Sequence, residues 1–327
     1  MTIYSKFYEM IDISSLLSAF SKNLIKFAIL FILSITTVNL QAKIVNVSIN
    51  ESSVKTLSDV QLLKKAKSVS DNDYLQSIQL ANEALKISKN NNNYSVNAQT
   101  HRFLGRVHSR SKEIEQSLYH FLQASIMYEK IDDNWNQVKC AVYYIDVLLS
   151  DKRYKQADEK IDELLPLAIQ YKNELPIALT LMIKGDSFYE QKRYSDSITQ
   201  YKSSIDYLSN SDKGTKKYLA RVYKDIAQAY KRIKNREKTA LFYKKSLDIY
   251  TELDNKKLMA RTLNTLAEAE RYLGNLFTAL EYSLRGLSIH DELNDPSGRV
   301  KALVGAGIIY RQIGRYETSL EHIYEAH

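Results

Sequence analysis

Residues 266–287 read LAEAERYLGNLFTALEYSLRGL, and the same order of residue types returns forty residues to either side. Residues 226–247, IAQAYKRIKNREKTALFYKKSL, precede it, and residues 306–327, AGIIYRQIGRYETSLEHIYEAH, follow it. A period this regular marks a repeat array, in which each unit buries its apolar face against its neighbours and not in one globular core. With Ala267 as the reference position, the equivalents are Lys65, Gly105, Ile145, Gly185, Ala227 and Gly307, spaced by forty except for one step of forty-two.

Twelve residues after each reference stand Ser77, Ser117, Ala157, Ser197, Thr239, Ala279 and Ser319, all small. That pattern predicts the point where the two helices of a hairpin cross most closely, since a large side chain there would force them apart. Seven residues further on come Ala84, Ala124, Leu164, Ser204, Ser246, Gly286 and Ala326, mostly small again, which predicts the contact with the next hairpin. Breakers cluster at 90–93, 210–214 and 295–298 and predict loops. Pro176 suits the first turn of a helix, whereas Pro166, within ELLPLAI, is expected to kink or shorten its helix.

The set of positions resembles the tetratricopeptide repeat. A small residue late in helix A is followed three on by an aromatic at Phe188, Tyr230 and Tyr310, then by a turn with Gly274 or Gly314. Helix B opens on Tyr74, Tyr154, Tyr194, Leu276 or Tyr316. Lys65 and Ile145 depart from the small residue, Arg236 from the helix B aromatic, and His108 stands where an aromatic is usual. The resemblance runs over residues 57–327 and implies an all-α, right-handed superhelical solenoid of about seven hairpins, the last incomplete. The repeats fall near 57–92, 93–132, 133–173, 174–212, 213–254, 255–294 and 295–327, and the first is the candidate cap.

Composition agrees with an all-helical chain: 327 residues hold nine Gly and three Pro. The one cysteine, Cys140, can close no intramolecular disulfide and is read as core. A net charge of +8 with no accompanying aromatic-basic motif points to no nucleic acid. Residues 1–42 differ from the rest. Lys22 and Lys26 precede FAILFILSITTV at 27–38, and the stretch closes on Ala42, so it reads as a signal peptide or an uncleaved signal anchor. Residues 43–56 read as a linker, and the positive flank predicts export of the repeats. The last helix stops at His327 with Leu320, Ile323 and Ala326 set to pack on a further hairpin, so the expectation is a fragment followed by more repeats, a membrane span and an output domain.

No Gly-rich phosphate loop, metal-spaced Cys/His set or nucleophile elbow is present, so neither an enzyme nor a cofactor is expected. His101, His108 and His120 share one repeat, but with no nearby cysteine and only ordinary acids they read as solvated or partly packed side chains and not as a metal site. The 24 tyrosines read as core with a polar tip. What remains is a binding surface. Six residues before the reference the last three repeats carry Arg221, Arg261 and Lys301, and four after it Lys231, Arg271 and Arg311. With Lys224 and Asn264 they form the candidate partner groove, suited to an acidic protein or peptide and alternatively a solvated face neutralised by Asp225, Glu268 and Glu270. Earlier repeats carry Gln99, Leu179, Ser109, Leu149 and Tyr189 there, with only Lys139 basic.

By resemblance, the chain is similar to the exported sensory regions of bacterial membrane signalling proteins of the diguanylate cyclase or histidine kinase type. That implies a periplasmic interaction or sensing module, held to the membrane by an uncleaved N-terminal segment or a further C-terminal one. The alternative is a self-contained periplasmic scaffold or envelope-assembly protein.

Overall fold

Fourteen helices follow one another, with no strand, among the described residues of the computed structural model, 57–208 and 215–327. They pair as α1 (Asp59–Val69) with α2 (Tyr74–Asn90), α3 (Tyr94–Arg110) with α4 (Ile114–Glu129), and α5 (Asn134–Ser150) with α6 (Tyr154–Gln170). Then come α7 (Glu174–Glu190) with α8 (Tyr194–Asp206), α9 (Lys216–Arg232) with α10 (Arg236–Glu252), α11 (Lys256–Leu273) with α12 (Leu276–Glu292), and α13 (Pro296–Ile313) with α14 (Tyr316–Ala326). Each helix packs on the one before and the one after, as in a helical solenoid. The leader at 1–42, the linker at 43–56 and the 210–214 loop lie outside the described residues.

The crossings fall where the small residues predict. Ser77, Ser117, Ala157, Ser197 and Ala279 are fully buried. Ser117 Oγ donates to the Gly105 carbonyl at 2.8 Å and Ser319 Oγ to the Gly307 carbonyl at 2.7 Å, each linking a crossing residue to its own reference residue. Volume is exchanged across the same gap. A β-carbon on Gly105 would lie 2.8 Å from the Phe121 ring, one on Gly185 2.5 Å from the Tyr201 ring, and one on Gly307 2.8 Å from Ile323. Those partners all sit sixteen residues after the reference. Where the reference is the exposed Lys65 the residue in that place is the buried Ala81.

A shorter rhythm governs the loops. Gly274 and Gly314 adopt φ of 86° and 89°, as the turn reading predicts. The same left-handed conformation recurs at Asn92, Lys112, Asp132, Lys152, Lys172, Lys192, Lys234, Asp254 and Asn294, mostly twenty residues apart. In many of these loops the next N–H reaches back to a carbonyl five residues earlier, as Glu113 does to His108 at 2.9 Å and Arg153 to Leu148 at 2.9 Å. That bond closes the helix end and offsets the cost of a left-handed L-residue. Several of the following helices are capped by the side chain of the residue just before them. Asp73, Asn93, Asp133, Asn235, Asn255 and Asp295 each accept from the N–H three residues on.

Pro166 corrects the sequence reading in one respect: α6 does not end early but continues through it to Gln170. The proline removes one donor, yet Ile161, Leu164 and Ala168 on the same helix are buried, and that packing keeps the last turn in place. Pro176 sits in the first turn of α7, where Asn173 caps the Leu175 N–H at 3.1 Å.

Candidate ligand groove

Helices α1, α3, α5, α7, α9, α11 and α13 are the first helices of their hairpins. Beyond their sequence neighbours, α1 packs on α3, α5 on α7 and α11 on α13, bringing first helices side by side. Polar contacts join successive hairpins along these helices: Arg110 with Asp71 at 3.2 Å, Arg221 with Asp186 at 2.7 Å, Arg232 with the Tyr189 hydroxyl at 3.0 Å, and Lys231 with Glu268 at 2.6 Å. The Trp135 and Tyr218 rings meet edge to face, 6.2 Å apart, so α5 and α9 touch past α7.

The predicted groove cations meet different fates. Arg221 is bound between Asp186 and, at 3.2 Å, Asp225, while Lys224 also pairs with Asp225 at 3.0 Å. Lys231 is closed off by Glu268 at the edge of a cleft of about 340 Å³ between α9 and α11. Arg271 lies over the Tyr272 ring at 4.3 Å. Asn264 is drawn inward: its side-chain amide approaches His290 Nε2 at 3.1 Å, and His290 Nδ1 meets Asp295 at 3.1 Å. Arg261, Lys301 and Arg311 are exposed. Arg236, the departure at the start of helix B, donates to the Tyr272 carbonyl at 3.0 Å and covers its ring.

Two arrangements were not legible from the ladders. The first is a node in the middle of the array. Tyr201 donates to Asp186 Oδ1 at 2.6 Å, Asp186 Oδ2 accepts from Arg221, and Asp146 approaches from α5. Burial, opposed by the Arg221 charge, pushes the Asp186 carboxyl up to about 6, and Asp186 in turn holds the guanidinium of Arg221 above its ordinary range. These residues, with Tyr154, Tyr189, Glu190 and Gln228, line a cleft of about 340 Å³.

The second is a basic cluster at the start of the array. Lys67 from α1 and Arg102, Arg106 and Arg110 from α3 line a cleft of about 380 Å³ together with Gln99 and Phe103. Arg102 also donates to Asn136 and lies 5.5 Å over the Tyr128 ring, and Lys139 of α5 lies 5.5 Å over Trp135. Burial first, then the Arg102 and Arg106 charges, lowers the Lys67 ammonium from its ordinary value. Burial, Arg102 and Lys217 do the same to Lys139. The signal available in the sequence was Arg102 and Arg106 one helical turn apart. They stand three before and one after the reference, off both ladders.

The three histidines do come together. His101 Nδ1 and His120 Nδ1 are 2.9 Å apart, His108 stacks on His120 with centroids 5.2 Å apart, and Glu113 meets His108 at 2.6 Å. Burial lowers His101 to about 4, and burial with its neighbouring histidines lowers His120 to about 3, so both rings are neutral at pH 7. Among the described residues no set of three or more His, Cys, Asp or Glu side chains converges as for a metal. Cys140 is fully buried and its thiol is pushed up to about 12, which leaves it a packing residue.

Residues 258–327 match the tetratricopeptide repeat family model. No curated protein matches the chain. Solved structures give the fold over a longer stretch. The signal transduction ATPase with numerous domains PH0952 from Pyrococcus horikoshii, described as having a tetratricopeptide repeat sensor, is 14% identical with a TM-score of 0.64. That match covers 82% of this chain and 41% of that one. BtubC (BKLC) from P. vanneervenii is 15% identical over 66% of this chain and 87% of its own, with a TM-score of 0.58. A Rap protein complexed with competence and sporulation factor is 14% identical over 82% and 76%, with a TM-score of 0.53.

Proposed function

We propose that this chain is an interaction and sensing module whose first-helix face holds a protein or peptide partner, and that its leading segment exports it. The observation that carries the reading is the side-by-side packing of first helices, which sets Gln99, Arg102, Arg106, Asp146, Tyr189, Arg221 and Gln228 along two clefts on one face. An extended ligand can lie across several hairpins there, reading polar side chains from each. The sensor description of PH0952 and the factor held by the Rap protein are in keeping with it. Peptides selected from a random display library on the full chain test the reading. Their binding should fall on Tyr189→Ala or Gln228→Ala and, for acidic sequences, on Arg261→Glu with Arg271→Glu, more steeply as salt rises. Peptides indifferent to all four changes would move the site to another face.

The finer reading is the periplasmic sensory part of a membrane signalling protein, with a diguanylate cyclase or histidine kinase as output. It draws on Lys22, Lys26 and the apolar run at 27–38. Residues 1–60 fused to a reporter active only outside the cytoplasm should give activity, and Leu30→Arg with Leu33→Arg should abolish it. Export unchanged by that pair would end the reading. A coding sequence that stops at His327 would select the scaffold instead of the sensor.

A further inference from the structure

The cations of this chain are unevenly neutralised. Arg221, Lys224 and Lys231 all have carboxylate partners. Lys67, Arg102, Arg106 and Lys139, across α1, α3 and α5, have none among the described ion pairs, and Asp71 beside them is engaged by Arg110 at 3.2 Å. Asp133 reaches Arg102 only through Asn136, and like charges brought together with no direct carboxylate partner among the described residues oppose folding through mutual repulsion. They are nevertheless held in place. The aromatic faces of Tyr128 and Trp135 lie under Arg102 and Lys139, and Asn136 accepts from Arg102.

We propose that the cleft between α1 and α3 is a binding site for a phosphate group, received by Arg106, Arg102 and Lys67, with the charge of Lys139 on α5 acting on Arg102 and Arg106 from beyond its wall. The proposal rests on the reading of the first-helix face as the ligand groove, and names what one end of that groove takes. Charge selects the ligand. A single carboxylate offsets one of four cations, whereas a phosphate monoester brings about two negative charges and three acceptor oxygens. Chemistry agrees, because two of the four groups are guanidiniums one helical turn apart: Arg106 can give two parallel N–H donors to a phosphate, and Arg102 can add the donors that its bond to Asn136 leaves over. The cleft of about 380 Å³ has room for a phosphorylated side chain, with Phe103 and Gln99 on its wall.

The test uses the full chain and three probes: inorganic phosphate, the tripeptide Gly-phosphoserine-Gly, and malonate, each against chloride at equal ionic strength. Phosphate should raise the melting temperature above the chloride control. Arg106→Gln with Lys67→Gln should weaken phosphate binding at least about tenfold while leaving the melting temperature in chloride equal or higher, because repulsion is relieved. A merely structural role would lower stability and leave no anion selectivity. Binding of the phosphotripeptide as well as phosphate assigns the group to a phosphorylated partner, and phosphate alone assigns a free anion; both support the site. Stabilisation no greater than chloride gives, malonate binding as tight as phosphate, or an affinity within about twofold in the double variant would overturn it. Library-selected peptides that still bind the double variant would keep the wider groove reading alive even then.

Discussion

Replacing Gly185 by Ala adds one methyl group at the tightest of the three crossings that have a glycine as reference. The new carbon would stand 2.5 Å from two ring carbons of Tyr201, about 1 Å inside an ordinary contact. The ring has little room to retreat, being 2% exposed and tied through its hydroxyl to Asp186 at 2.6 Å. Overpacking of this kind costs about 1–3 kcal/mol. Pulling the hydroxyl off a buried carboxylate costs about 1.5–3 kcal/mol more, and the better helix propensity of Ala returns about 1 kcal/mol. The net loss is about 1.5–5 kcal/mol, a fall in melting temperature on the order of 3–10 °C for a chain of this size. Far-UV circular dichroism on heating measures it. In a Tyr201→Leu background the added methyl should become neutral or stabilising, which a double-mutant cycle reads directly. A Gly185→Ala variant as stable as the parent would refute the exchange of volume across the crossing.

Ala279→Phe at a fully buried crossing should cost about 1–3 kcal/mol in urea unfolding, and no loss would remove the register assigned to α11 and α12. Gly274→Ala and Gly314→Ala, where a β-carbon meets nothing within 4 Å, isolate the backbone term and should each cost about 1 kcal/mol. The neutral His101 and His120 have folded pKa values of about 4 and 3 against an ordinary 6.5, so their stabilisation is full above 6.5 and is lost as pH falls through those values. Accordingly, His101→Gln with His120→Gln should shrink the drop in urea midpoint between pH 7 and pH 4.5. Asp186 works in the opposite sense. Raised to about 6, it favours the fold below its ordinary 3.8 and loses that contribution as pH rises through 6, so Asp186→Asn should steepen the acid-side loss over pH 4–6.

The architecture was legible because hairpin crossings demand small residues at a fixed phase, and Ser117, Ala279 and Ser319 carry that demand in their identity. Turn geometry was legible only at Gly274 and Gly314. At Lys112, Lys152, Lys192 and Lys234 the same conformation is imposed by helix-end hydrogen bonding, for which a lysine gives no hint. Local rules misjudged Pro166, since propensity cannot weigh the burial of Leu164 and Ala168 on either side. At the groove, residue type and register located Arg221 and Lys231 on the first-helix face and named Asp225 and Glu268 as acids able to neutralise them, but could not see Asp186 arriving from the neighbouring hairpin to hold Arg221. The Lys67 and Arg106 cluster escaped for the converse reason: its members come from different registers of different repeats and meet only in three dimensions.

The contact of Trp135 with Tyr218 bears on how the array comes apart. Packing between neighbours alone makes a one-dimensional system, in which hairpins can peel from an end with little effect on those further in. A ring pair joining the third hairpin to the fifth closes a loop around the fourth, so that none of the three can leave singly. The middle of the chain thereby acquires a cooperativity that its repeat pattern does not itself provide. Trp135→Ala should broaden the unfolding transition more than it lowers the midpoint, with the outer hairpins exchanging their amide protons earlier than α5, α7 and α9 only while the pair is intact.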